Sequence, residues 1–390
     1  MAKDEEPLRI LIATPAYWPS TAFGGPIHVF RSLVAGLAAR GHHVDVVTSS
    51  LVELGRAGAR RTSVREIDGA RVHFAATPAR FRWMGITPTV PLLLRRIGRP
   101  DVAHVFGFRD PVGTLVARWC RRNRVPYAFE GLGMFTPRLR KVRLKRALDA
   151  TLFRGVYGGA TAFVAASERE ADEYRAAGVA ADAIVVRPNG FPAPTDPSPR
   201  PGRLRRRLGL DADAPLVLSV GRVARGKGLD LLLEAARELP PASHVAIVGP
   251  DDRHGMVEEL TRLRDAWGLG ERVHLVGPLE GPLLDVYADA DVFALASAHE
   301  NFGLVAAEAA AAGTASVVSE RCGVAPLLRD RAALVVAYDA TAVREAIARL
   351  LADPGLRARL GAGGREVAAD YGWPRIVEQQ EAIYRRLAAP

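Results

Sequence analysis

Short apolar runs alternate along this chain with longer stretches whose apolar positions recur every third or fourth residue. Residues 8–14, 43–48, 72–75, 101–106, 126–129, 161–167 and 184–186 read as buried strands. A second series follows at 216–220, 244–250, 273–278, 291–295 and 316–319. Between them lie helical patterns: one through Leu37, closed by Gly41, one through Arg122, and one capped by Ser167. Others run from Leu229, from Asn301 to Gly313, over 341–351 and over 373–387. Residues 51–71 are polar and Arg-rich and read as a loop with short strands, and 81–97 reads as a helix disturbed by Pro88 and Pro91. Strand–helix alternation of this kind predicts an α/β protein with parallel sheets.

The repeated series predicts two Rossmann-like domains, which suits a chain of 390 residues. Prolines 192, 194, 197, 199 and 201 mark the boundary. The expected division is 1–192, a Pro/Arg-rich linker 193–214, a second domain 215–370, and a last helix 371–390.

Composition alters this picture little. Hydrophobic residues make up 48% and charged residues 25%, in the ordinary globular range. No apolar run is long enough to span a bilayer, and Met1-Ala2-Lys3-Asp4-Glu5-Glu6-Pro7 lacks the character of a signal peptide, so a cytoplasmic location is expected. Cys120 and Cys322 match no metal spacing and read as small buried residues. The formal charge of +10 comes in part from an Arg-rich composition spread along the chain, and two clusters stand out, 138–146 and 203–207. In the first, Leu139, Val142 and Arg146 fall at helical spacing among other cations, as in an interfacial helix. The sequence leaves three readings of that stretch: a contact with the inner face of the membrane, a solvated face, or a nucleic-acid patch. No aromatic residues interleave with its cations, which disfavours the last.

Candidate chemistry gathers in the second half. The strand 291–295 runs into Ala296-Ser297-Ala298-His299-Glu300-Asn301-Phe302-Gly303-Leu304, then an Ala-rich helix that includes Glu308. Asn301 reads as the N-cap, leaving the amides of Phe302, Gly303 and Leu304 free toward an anion. Glu300 and Glu308 bracket that helix start and offer acceptors to sugar or ribose hydroxyls. Earlier, the strand 216–220 ends in Gly221-Arg222-Val223-Ala224-Arg225-Gly226-Lys227-Gly228. Arg222 and Lys227 on a Gly-rich turn before a helix suit a diphosphate. No Ser or Thr follows the Gly-Lys pair, so this is not a Walker A loop. Gly24-Gly25 precedes the first helix without the GxGxxG of dinucleotide binders.

Glu300, seven residues, then Glu308, with Asn301-Phe302-Gly303-Leu304 between them, resembles the donor-site signature of retaining GT-B glycosyltransferases of family 4. The resemblance implies two Rossmann-like domains facing a cleft, with a C-terminal helix crossing back to the first. It implies transfer of a sugar from a nucleotide-diphosphate sugar to an acceptor hydroxyl, with retention and without metal or other cofactor. The roles implied are Arg222 and Lys227 on the diphosphate, Glu300 on the sugar and Glu308 on the ribose. Gly24, Gly25, Gly221, Gly249, Val276, Asn301, Phe302, Gly303 and Leu304 would line the donor site. Pro188-Asn189-Gly190 is similar to the tripeptide at which the family's chain leaves its first domain. Glu130, in Glu130-Gly131, stands where many members carry a sugar-facing His; it is a candidate to replace that His, with His28 and His104 as alternatives. Ala296 and Ala315 stand where the family often has Pro. A lipid-linked or other envelope acceptor is the expected partner. The alternatives are another GT-B enzyme, such as a nucleotide-sugar epimerase or phosphorylase, and a basic membrane- or nucleic-acid-binding protein.

Overall fold

A computed structural model describes residues 6–20, 24–53, 56–81, 84–136, 153–194, 202–281 and 283–389. The chain divides into two compact units, Met1–Gly190 with Trp373–Pro390, and Phe191–Gly372. The basic stretch 138–146 lies outside the described residues.

The first unit is built on an eight-stranded sheet. Its strands are β1 (Arg9–Thr14), β2 (His43–Ser49), β3 (Ser63–Ile67), β4 (Ala70–Ala75), β7 (Val102–Phe106), β8 (Tyr127–Glu130), β9 (Ala162–Ala165) and β10 (Ile184–Val186). The order is β10-β9-β8-β7-β1-β2-β4-β3, parallel except for the antiparallel edge strand β3. Interior strands such as β7 are buried along their whole length, which is why they read as unbroken apolar runs. Separate from this sheet, β5 (Ala79–Phe81) and β6 (Met84–Ile86) form a hairpin. The helix expected over 81–97 is therefore confined to Val90–Ile97: Pro91 is accommodated in its first turn, and the residues before Pro88 take the extended conformation.

The last helix, Trp373–Ala388, belongs to this unit and packs on the helix Gly25–Ala39. Val377 fills the space beside Gly36, and Arg40 pairs with Glu381, which Arg385 also holds at 2.8 Å. The amphipathic spacing of Ile376, Val377, Ile383 and Tyr384 supplies the buried stripe.

The second unit carries a six-stranded, all-parallel sheet, in the order β13-β12-β11-β14-β15-β16. These strands are β11 (Leu216–Val220), β12 (His244–Val248), β13 (Val273–Gly277), β14 (Val292–Leu295), β15 (Ser316–Ser319) and β16 (Ala333–Val336). Leu232, Leu233, Ile247, Val292, Ile347 and Leu350 belong to its core.

Within the expected linker 193–214, Arg203–Leu208 forms a helix that is part of this unit. Asp289 caps it through the amides of Gly202 and Leu204, at 2.7 and 2.6 Å. Arg205 is buried, donating to the Asp289 carbonyl at 3.0 Å and pairing with Asp291 at 2.9 Å. Arg203 pairs with Asp285. Part of the 203–207 cluster is thus a lock on the sheet, its charge matched by carboxylates.

Candidate functional site

Strand β11 lies between β12 and β14, so connections leave the sheet on opposite sides there. Open α/β sheets bind ligands at such switch points, beyond the carboxyl ends of the strands. The two loops singled out in the sequence, 221–228 after β11 and 296–303 after β14, therefore emerge side by side.

They are joined directly. The Ala298 amide donates to the Gly226 carbonyl at 2.8 Å. Lys227 donates through Nζ to Glu300 Oε1, and that same oxygen accepts from Ser297 Oγ at 3.2 Å. Gly228 makes this approach possible: a Cβ there would lie 1.8 Å from the Ala296 carbonyl oxygen, and its φ of +66° is one that side chains resist. Gly249 does the same at the end of the neighbouring strand β12. A Cβ on it would lie 1.9 Å from the Gly221 carbonyl oxygen, and its amide donates to Gly277 at 2.9 Å, at the end of the strand carrying Val276. Arg222 is exposed and makes no ion pair among the described residues. Arg225 is committed to Glu259 at 2.5 Å. Of the three cations on this loop, Lys227 and Arg225 are each held by a carboxylate and Arg222 is open to an anion.

Asn301 is not the N-cap. Gly303, at φ +109°, takes that place, and the helix runs from Leu304 to Ala311. The Gly303 carbonyl accepts from Ala306 at 2.9 Å, so Leu304 and Val305 contribute the first amides of the turn. Phe302 instead turns its carbonyl to the Val324 amide at 2.8 Å, with its ring buried against Phe191. Glu308 is partly buried, and its Oε2 accepts from the Tyr287 hydroxyl at 2.6 Å. Burial raises the Glu308 pKa above its ordinary 4.5, with the Tyr287 bond pulling the other way. Neither Tyr287 nor Ser297 stood out in the sequence. Ser297 had only its place beside the turn, and Tyr287 is brought to Glu308 by packing alone.

The remaining candidates belong to the first unit. Gly24, at φ +74°, caps the helix that begins at Gly25. Glu130, at the end of β8, has no exposed surface and pairs with Arg187 Nη2 at 2.5 Å. Its side chain serves that guanidinium inside the unit, against the expectation of a sugar-facing acid. His104 lies 3.6 Å from it and shares a 2.7 Å bond with the Tyr384 hydroxyl, and His28 lies at an exposed position of its helix. Burial raises the pKa of Glu130, opposed by Arg187, and drives that of His104 well below its ordinary value. Cys120 and Cys322 are buried and free. No group of three or more His, Cys, Asp or Glu among the described residues could hold a metal ion.

Residues 202–367 match the family described as glycosyl transferases group 1, and 24–190 match a glycosyl transferase 4-like domain. D-inositol 3-phosphate glycosyltransferase 1 of Catenulispora acidiphila is 32% identical, over 96% of this chain and 94% of that protein. The chain is a group 1 glycosyltransferase of family 4. A D-inositol 3-phosphate glycosyltransferase of Xylanimonas cellulosilytica is 37% identical over 59% of this chain, a match spanning 58% of that relative. Among solved structures, sucrose-phosphate synthase from Thermosynechococcus elongatus is 25% identical with a TM-score of 0.77, covering 97% of this chain and 98% of that one. Anabaena HepE in complex with UDP and glucose shares the fold, with a TM-score of 0.78 at 19% identity over 97% of this chain and all of that one. The glycosyltransferase has the GT-B fold, two Rossmann-like domains on parallel sheets. Its paired loops belong to the segment that matches the group 1 family.

Proposed function

We propose that this glycosyltransferase moves a sugar from a nucleoside diphosphate-sugar to an acceptor hydroxyl, with retention of configuration and without a metal. The observation that carries the reading is the joining of loops 221–228 and 296–303 at the switch point through Lys227 and Glu300. Arg222 and Lys227 neutralise the diphosphate, and their charge favours the transition state as negative charge grows on the leaving phosphate. Lys227 turns part of its interaction from Glu300 to phosphate when donor arrives. Glu300 then accepts from the sugar's hydroxyls, and Glu308, already fixed by Tyr287, from the ribose. The anomeric carbon–oxygen bond to phosphate breaks, the acceptor oxygen bonds to that carbon on the same face, and the departing phosphate oxygen takes the acceptor's proton.

Metal-free calorimetry of UDP, GDP, ADP and dTDP against wild type and Arg222→Ala tests the reading. One diphosphate should bind selectively and lose about tenfold or more in affinity in the variant. No binding of any of the four to folded protein would sink it. D-inositol 3-phosphate, which the relatives' names give as their acceptor, is the first acceptor to assay, beside a lipid-linked one.

A further inference from the structure

Five large hydrophobic side chains are markedly exposed among the described residues, and all fall within 52–92: Val52, Val64, Phe81, Ile86 and Leu92. Chance scatter along a chain of this length would not gather them so. Three of them sit on the β5–β6 hairpin and the helix Val90–Ile97 that follows it.

The hairpin's register settles which way it faces. Ala79 pairs with Ile86, Phe81 with Met84, and Arg80 with Gly85. Side chains alternate along a strand, so Ala79, Phe81, Met84 and Ile86 share one face. Gly85 lies on the other, and a Cβ there would meet Thr77 at 2.6 Å and Leu51 at 3.2 Å. The glycine face rests on the body of the unit, and the apolar face is turned out, with Phe81 63% and Ile86 47% exposed. Thr87-Pro88-Thr89 connects it to the helix, and Thr89 Oγ1 accepts from the Ala76 amide at 3.0 Å, anchoring both elements at one point. The helix buries Val90, Leu93, Leu94 and Ile97, and leaves Leu92, Arg95 and Arg96 outward.

Charge says what this surface suits. Residues 69–100 contain Arg71, Arg80, Arg82, Arg95, Arg96 and Arg99 and no carboxylate. The acids at either end are used internally: Asp68 pairs with Arg31 at 2.8 Å, and Asp101 accepts from the Arg9 amide at 2.7 Å. Arg71 is matched by Asp45 at 2.7 Å, whereas Arg95 and Arg96, beside Leu92, are exposed and make no ion pair among the described residues. An apolar face beside such arginines has the chemistry of an interfacial element on anionic lipid.

We propose that the outward face of the hairpin and the helix Val90–Ile97 docks this protein on an anionic bilayer, with Phe81, Ile86 and Leu92 at the acyl boundary and Arg95 and Arg96 at the headgroups. The surface is independent of donor chemistry, so its test needs no nucleotide. Full-length protein is sedimented with vesicles of phosphatidylcholine alone or with phosphatidylglycerol added. Wild type should follow the anionic vesicles only, and less so in high salt. Phe81→Ser/Ile86→Ser should lose about tenfold or more in vesicle affinity, and Arg95→Gln/Arg96→Gln should lose the preference for anionic lipid. Unchanged melting temperatures would show that both variants are folded, as expected for exposed positions. No sedimentation of wild type with anionic vesicles would overturn the proposal. So would equal binding by both variants, which would move the contact elsewhere, or a wild-type dimer that the serine variant dissolves, which would make the occupant a second copy.

Discussion

Burial of the Glu130 carboxylate beside the Arg187 guanidinium limits what either side chain can do. Both are fully enclosed, and Glu130 Oε1, Arg187 Nε and His104 Nε2 have no hydrogen-bond partner among the described residues. Such a pair contributes little net stability, yet removing one member strands the other charge. Arg187→Met should therefore cost about 3–5 kcal/mol, read as a lowered denaturation midpoint, while Glu130→Gln/Arg187→Met recovers most of it. If Glu130 is structural, the double variant keeps transfer activity; loss of turnover in that variant, still folded, would return Glu130 to the chemistry. Glu308 permits a second test. Its pKa lies above 4.5 through burial, and the ionised form is the better acceptor for a donor hydroxyl. Nucleotide affinity should fall as pH drops through that raised value. Tyr287→Phe removes the bond that pulls the pKa down, so the acid limb should move to higher pH. Superimposable pH profiles for the two proteins would rule out Glu308 as the titrating group.

At the level of elements, the meeting of loops 221–228 and 296–303 depends on a carbonyl passing close over Gly228. Gly228→Ala must push aside the Ala296 carbonyl and hold φ near +66°, at a cost of about 3 kcal/mol or more. The expected result is a lower melting temperature together with weakened diphosphate binding, since the loop carrying Lys227 is the one displaced. Unaltered binding and melting would mean that the loops are not braced in this way. The same loops show what the sequence made legible. Apolar runs such as 216–220 and 291–295 announced the strands because parallel strands are buried on both faces, and the motif spacings placed Arg222, Lys227, Glu300 and Glu308. The helix start after β14 was placed early because Asn301 is the better capping residue by type, whereas the Phe302 carbonyl is drawn away to Val324 and leaves the cap to Gly303. The hairpin at 79–86 was missed for a related reason: with arginine and proline around it, its apolar residues follow a helical count as readily as an alternating one. Contacts made only by tertiary packing, such as Tyr287 on Glu308 or Arg187 on Glu130, leave no periodic trace.

The whole molecule has two cores, and proton uptake by the first unit works in two directions. Asp110, which caps the helix Pro111–Asn123 through the Gly113 amide, is pushed by burial to about 6, and burial also raises Glu130. Asp68, bound to Arg31, is held below its ordinary 3.8. Asp45 and Glu381 are opposed by burial yet also held low, Asp45 by His73 and Arg71, and Glu381 by Arg40 and Arg385. A carboxyl raised in the folded state favours folding as it takes up its proton. His28, His42 and His104, whose pKa burial lowers, disfavour folding as the unfolded chain takes up their protons below about pH 6.5, so the two effects oppose each other between pH 7 and about 5. A carboxyl lowered in the folded state favours folding above its unfolded pKa and loses that contribution as pH falls through its folded value. Asp45, Asp68 and Glu381 therefore withdraw their stabilisation below about pH 4.5. Calorimetric scans across pH should show a transition whose midpoint changes little into mild acid and then falls steeply. Diphosphate should raise the midpoint of the other transition at neutral pH, because the cations proposed to hold it, Arg222 and Lys227, belong to the second unit. Asp45→Asn should flatten the steep limb of the first transition and leave the ligand-dependent one in place. A midpoint that declines steadily from pH 7, or a steep limb that Asp45→Asn leaves intact, would show that these ion pairs do not govern the acid response.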